Sequence, residues 1–196
     1  QDDLFIMQFA KNGWGQDIAA LSNMAEALMN ASRAKLIIPS DMKRLLGSVV
    51  VRALHEKVSP YRKDPRAVNK LGHYGYYLEH LNIILGCYQF VADDEYLKLN
   101  LRVTEHLIAL SSAEKNCHAP LLPNVRMRWS ADQAAIIYSI WLYDQNNGTS
   151  LSNDLRDKWL NYMDTNMRDP ETRLYMTEVM GVKRYSKQPR GCALAY

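Results

Sequence analysis

Cysteine is scarce in this chain, and its three residues, Cys87, Cys117 and Cys192, form no C-x-x-C pair. One thiol is left over however they are bridged, which argues against a disulfide framework. Long apolar runs are missing too: no stretch approaches the roughly 20 residues that a membrane-spanning helix requires. Charge of one sign is lacking, with 24 Lys and Arg against 21 Asp and Glu scattered along the chain. Without a cationic face there is no nucleic-acid footprint. The sequence has no glycine-rich phosphate loop, no Gly-x-Ser-x-Gly elbow and no His-x-x-x-His or His/Cys cluster of ligand spacing, so neither a metal nor a cofactor is expected. No charged-then-apolar leader stands at Gln1, but a chain that begins without Met is compatible with removal of one. The compartment stays open on these grounds, with the periplasm or envelope favoured over the cytoplasm.

What is present is a large apolar share, 47% of 196 residues, enough for a sizeable core. Its spacing predicts helices almost throughout. Ile18, Leu21, Ala25, Leu28 and Met29 recur at helical period, and so do Met42, Leu45, Leu46, Val49, Ala53 and Leu54 behind a Pro39-Ser40 start. A third helix, from about His73 to Val91, is apolar on nearly every side. A fourth, from Asp93-Asp94 to about Ser112, interleaves Lys98, Arg102 and Glu105 and can face water. The fifth, "SADQAAIIYSIWLYDQ", is apolar nearly all round after its first turn, so it should be enclosed by other helices. The sixth, Ser150 to about Met167, has one apolar side. Inner and outer helices alternate, as stacked helical hairpins require.

Each inner helix is entered through a similar stretch: "KNGWGQD", "KLGHYGYY", "RMRWSADQ" and "KQPRGCALAY". With Trp14, Tyr74, Trp129 and Cys192 as markers the steps are 60, 55 and 63 residues, about one helical hairpin each. The expected architecture is one all-α domain over residues 1–196: three antiparallel hairpins and the start of a fourth, a half or fragment of an (α/α)6 toroid. Association with a C-terminal half, or with further copies of the chain, follows as an expectation. An open helical array is the alternative.

If the inner helices run parallel, their N-termini converge on one mouth, where orphan N–H groups and positive dipole ends suit an anionic or polar ligand. Asp132 stands there as a general acid or base, with Glu79 or Glu178 as a possible second carboxyl. Its bland reading is a helix-dipole partner beside a Ser130–Gln133 capping box. His73/Tyr77 and Tyr76/His80 each lie four residues apart on one helix and could pass a proton or simply satisfy buried polar tips. Cys192 beside Arg190 at a helix start is a candidate thiolate, or a small buried hydrophobe. Lys183, Arg184, Lys187 and Arg190 beside Tyr185 form a basic loop, solvated or anion-binding. "DPETRLYMTEVMG" reads as a turn followed by an extended stretch that could carry Glu178 to the rim.

The segments "HYGYYLEHLNIIL", "RWSADQAA", "DPETRLYMTE" and "PRGCALAY" resemble hairpin-entry motifs of bacterial (α/α)6 toroid proteins related to linalool dehydratase-isomerase, over roughly residues 70 to 196. The resemblance implies a central pocket in which a Tyr-x-x-His element and polar groups at the next helix entries handle a small substrate. The matching positions are Tyr76, Tyr77, His80 and Asp132, with Arg190 and Cys192 at the fourth entry. The dehydratase uses cysteine chemistry near the Asp132 entry, whereas this chain has Trp129 and Ser130, which argues against terpene alcohol dehydration. Related toroids act on glycans by hydrolysis or elimination. The expected function is therefore a lyase or hydrolase acting on a small polar or carbohydrate-like substrate. Asp132, His80, Tyr76 and Cys192 would be catalytic, and Tyr74, Tyr77, Trp129, Arg190 and Glu178 would bind substrate. A non-catalytic ligand-binding or scaffold protein is the alternative.

Overall fold

A computed structural model describes residues 14–36, 39–61, 70–180 and 184–186, with side chains placed over 17–36, 40–61 and 70–180. The architecture is all-α, built from helical hairpins. In chain order the helices are α1 (Trp14–Arg33), α2 (Pro39–Leu54), α3 (Gly75–Val91), α4 (Leu97–Ser112), α5 (Ser130–Asn147) and α6 (Ser152–Asn166).

Polar pairs fix how the helices run. Asn82 Nδ2 donates to Ser139 Oγ at 3.0 Å, Asn146 Nδ2 donates to the Gly86 carbonyl at 2.8 Å, and Gln89 meets Asn147, so α3 and α5 are parallel. The guanidinium of Arg33 lies 5.8 Å from the Phe90 ring, which brings the C-terminal ends of α1 and α3 together. The even helices return. Tyr77 donates its hydroxyl to the Ala53 carbonyl at 2.9 Å while Lys43 pairs with Asp93 at 2.5 Å, and Thr104 meets Asn82 while Asn100 Nδ2 reaches Gln89 at 3.5 Å. Thus α1, α3 and α5 are the parallel set, and α2 and α4 run against α3.

Helix α3 is the core of the molecule. Tyr77, Leu78, Leu81, Ile83, Ile84, Leu85, Cys87 and Tyr88 are all buried, which is why its sequence has almost no polar face. Asn82, 0% exposed, is accommodated because Thr104 and Ser139 supply its hydrogen bonds from the two neighbouring helices. Gly86 permits the close approach of α5: a Cβ there would lie 2.8 Å from Leu142 Cδ2.

Two expectations change in detail. Helix α5 is less enclosed than its composition suggests: Trp141 is 42% exposed and stacks on Tyr138 at 5.9 Å. Beside the helices the chain forms a small antiparallel sheet of order β1-β2-β3, comprising Met127–Trp129, Glu178–Met180 and Arg184–Ser186. Strand β2 falls within the extended stretch expected in "DPETRLYMTEVMG", whereas β1 and β3, three residues each, are too short to show a period of two.

The α5–α6 turn is organised by Asp144, 3% exposed. Its carboxylate accepts from Thr149 Oγ1, Leu151 N and Ser152 N at 2.5, 2.8 and 2.8 Å, while Gly148 turns the chain at φ 65°. Burial pushes this carboxyl up, but the hydrogen bonds from Thr149, Ser152 and Leu151 outweigh it and hold the group below the usual range. Asp144→Ala removes the cap of α6 and is expected to lower unfolding free energy by about 2 kcal/mol in urea titrations.

The loop leading to β1 is held by His118, 0% exposed. Its Nδ1–H donates to the Asn116 carbonyl at 2.6 Å, and its Nε2 accepts from Trp159 Nε1 at 3.3 Å, an arrangement that only the neutral ring satisfies. Burial lowers its pKa from 6.5 to about 4. Stability from this group is therefore complete above about pH 6.5 and is lost as pH falls through 4. Urea midpoints should decline over that window, with a shallower decline in His118→Gln; identical slopes would exclude the assignment.

Candidate functional site

The N-terminal halves of α3 and α5 meet. Glu79 enters from α3 and Asp132 from α5, 1% and 7% exposed, with their carboxyls in hydrogen-bonding contact. The positions follow from local structure. Gly75 N–H donates to the Pro120 carbonyl at 2.9 Å and Tyr76 N–H to the Leu121 carbonyl at 3.2 Å, which anchors the start of α3 on the 119–122 loop. Ser130 N–H donates to the Thr177 carbonyl at 3.1 Å, and Ser130 Oγ to the Met176 carbonyl at 3.3 Å, which sets the start of α5 against the chain entering β2.

The Ser130–Gln133 capping box does not form. Trp129 is the N-cap of α5 and makes no side-chain cap bond. Gln133 instead turns into the core, where its Oε1 accepts from Ala119 N at 2.9 Å and its Nε2 donates to Ser111 Oγ at 3.2 Å. Some of the expected orphan donors at the mouth are occupied: the amides of Gly75, Tyr76 and Ser130 are spent on backbone carbonyls.

Two buried carboxyls in contact cannot both be ionised at ordinary cost. Burial raises Asp132 to about 7, against the pull of hydrogen bonds from Glu79 and from its own backbone N–H. Burial, then the charge of Asp132 and the hydrogen bond to it, raise Glu79 well above the usual carboxyl range. Drawn as carboxylates, Glu79 Oε2 and Asp132 Oδ2 have no donor, and a single proton held between the groups supplies one. The pair is therefore a dyad that shares a proton near neutral pH.

His80 adjoins it. Its Nε2 lies 3.7 Å from Glu79 Oε1, its side chain is 12% exposed, and its ring meets Tyr76 edge-on at 4.7 Å. Burial lowers its pKa to about 4, so the imidazole is neutral near pH 7. Its Nε2 faces the Glu79 carboxyl beyond hydrogen-bond distance, and its Nδ1 has no partner.

The remaining sequence candidates separate clearly. Trp129 is half-buried and ends β1, with Glu178 its direct partner across the β1–β2 pair, so Glu178 does reach the rim of α5. Tyr77 does not join the dyad. It is 1% exposed, gives its hydroxyl to Ala53 on the α2 side and packs against Tyr61, and burial raises its pKa to about 12. Tyr74 likewise packs edge-on against Tyr61 at 5.4 Å. His73 is exposed, so the His73/Tyr77 relay is not formed. Arg128 turns to the Val125 carbonyl and Glu114 rather than toward Asp132. Cys192, Arg190, Lys183 and Lys187, and the side chains of Trp14, Arg184 and Tyr185, lie outside the described residues.

Sequence reasoning missed the His118–Trp159 contact, since 41 residues separate the partners and neither belongs to a motif. Among the described residues no group of three His, Cys, Asp or Glu is arranged to hold a metal, and no helix is long and apolar enough to cross a membrane. No protein-family model matches the sequence, and no curated protein matches it.

Proposed function

We propose that the chain belongs to an enzyme of the (α/α)6 toroid class that acts on a small polar or carbohydrate-like substrate by general acid/base chemistry, as a lyase or hydrolase. The observation that carries this reading is the Glu79–Asp132 dyad, with Asp132 held at about 7. A group poised at the working pH both gives and takes a proton efficiently. In this reading Asp132 transfers the proton, Glu79 sets its affinity, and His80 with Tyr76 contacts the substrate. The parallel inner helices and the exposed Trp141 on α5 are compatible with a ring in which further hairpins cover that face.

The test is a screen of lyase and glycosidase substrates followed by Asp132→Asn. A residue serving as general acid or base should lower kcat by about 10²–10⁴-fold when replaced by its amide. Undiminished turnover in a folded Asp132→Asn variant would remove the reading. The half-buried Tyr138 stacked on exposed Trp141 also fits a non-catalytic binding or scaffold role, in which the amide variant binds its ligand without any turnover in the parent protein either.

A further inference from the structure

Along the solvent side of α2, Arg44, Gly47, Ser48, Val51, Arg52 and His55 line a groove of about 560 Å³. Arg44, Gly47, Ser48 and Val51 stand at i, i+3, i+4 and i+7, and Ser48, Val51, Arg52 and His55 repeat that diamond one turn later. Each diamond is the kind of hole into which a side chain of a facing helix inserts. The floor is small, since Gly47 has no side chain and Ser48 turns its hydroxyl back to the Arg44 carbonyl at 3.0 Å. Val51, 62% exposed, offers an apolar contact, and no acidic side chain stands among the described residues of the groove. Arg44 is held by Asp41 at 3.5 Å, with both side chains widely exposed.

A complementary surface lies on α6. Asn153, Asp157, Leu160 and Asp164 recur at i, i+4, i+7 and i+11, the spacing of Arg44, Ser48, Val51 and His55 on α2. All four are exposed, Leu160 to 44%. Arg156 and Lys158 fall on the flanks of this stripe, which leaves its centre acidic and apolar. Asp157 and Asp164 pair with Arg156 and Arg168 of their own chain, surface contacts of little strength that can exchange.

We propose that the α2 groove receives the α6 stripe of a second copy of this chain. Leu160 enters the hole over Gly47 and Ser48 and packs on Val51. Asp157 and Asp164, one turn to either side and about 10.5 Å apart along the helix axis, meet the guanidinium groups of Arg44 and Arg52, whose positions are about 12 Å apart. Groove and stripe are different surfaces of one molecule, both facing solvent, so the contact forms between copies and runs head-to-tail. The proposal stands apart from the acid/base reading, since it uses neither Glu79 nor Asp132.

Sedimentation velocity on the whole chain tests it. Self-association should appear as concentration rises through the micromolar range and weaken as added salt screens the rim charges. Reversing the groove with Arg44→Glu/Arg52→Glu, or the stripe with Asp157→Lys/Asp164→Lys, should weaken association by about tenfold or more. Mixing the two variants should restore it, because each then offers the charge that the other lacks. Gly47→Leu fills the hole without any change of charge. Its Cβ would meet nothing closer than Tyr88 Cε2 at 3.8 Å, an ordinary contact, so the variant should fold and should associate as weakly as the charge reversals. A chain that stays monomeric at every concentration overturns the proposal, whatever else the groove takes. So does association that survives Gly47→Leu and both charge reversals, or that the mixture of variants does not restore.

Discussion

Replacing Gly75 by alanine is expected to cost the chain about 3 kcal/mol of stability and to disturb the dyad from a distance. A Cβ at this position would lie 2.5 Å from the Pro120 carbonyl oxygen and 3.4 Å from Leu121 Cα. Both are backbone atoms, so neither can swing aside as a side chain would. The first turn of α3 must lift off the 119–122 loop, which breaks the Gly75–Pro120 and Tyr76–Leu121 hydrogen bonds and displaces Glu79, which lies one turn after Gly75. In a chain of this length the loss corresponds to a fall of roughly 6–12 °C in melting temperature. Gly86→Ala meets only Leu142 side-chain atoms, at 2.8 and 2.9 Å, and should cost less because that side chain can shift. A melting temperature for Gly75→Ala equal to that of Gly86→Ala would show that the 119–122 loop does not brace α3.

The second large effect concerns the dyad. Its folded-state affinity for protons is raised, so its contribution to stability has the opposite sign to that of His118. Protonation of Asp132 in the pair stabilises the fold fully below the unfolded carboxyl range, near pH 4, and that contribution is lost as pH rises through about 7, while Glu79 holds its proton above the usual carboxyl range. Asp132→Asn removes the titrating partner and keeps the shape, so the alkaline-side decline in the urea midpoint should flatten. At the same time turnover on any substrate found should drop by about 10²–10⁴-fold. Loss of activity without a change in the pH dependence of stability would place Asp132 in catalysis but not in a proton-sharing pair. The reverse would make the dyad purely structural.

Much of this architecture is readable from the residues. The run from Tyr77 to Tyr88 has no solvent face, and α3 is the element on which the others pack. The entries "KLGHYGYY" and "RMRWSADQ" mark where α3 and α5 begin, and they put Asp132 in the first turn of α5 and Glu79, one possible partner, in the second turn of α3. Which of Glu79 and Glu178 makes the contact depends on the rotation of α3 against α5, set by the close approach at Gly86 and by the Asn82–Ser139 bond, and no local pattern encodes that rotation. Gln133 illustrates the same limit. Its spacing from Ser130 is right for a capping box, but Ser111 and the Ala119 amide offered it partners in the core, and Trp129 entered β1 instead. Tyr77 fails as a site residue for a similar reason: adjacent to Tyr76 in sequence, it points about 100° away around the helix, where the Ala53 carbonyl at the end of α2 needs a donor.

Infrared difference spectra across pH 4 to 9, on the wild type and on Asp132→Asn, test the central claim most directly. The account predicts a protonated-carboxyl band that persists well above pH 5, through neutrality, and is missing or displaced in the variant. Loss of every protonated-carboxyl band by about pH 5, as for ordinary solvated Asp and Glu, would show that Glu79 and Asp132 do not share a proton and would contradict it.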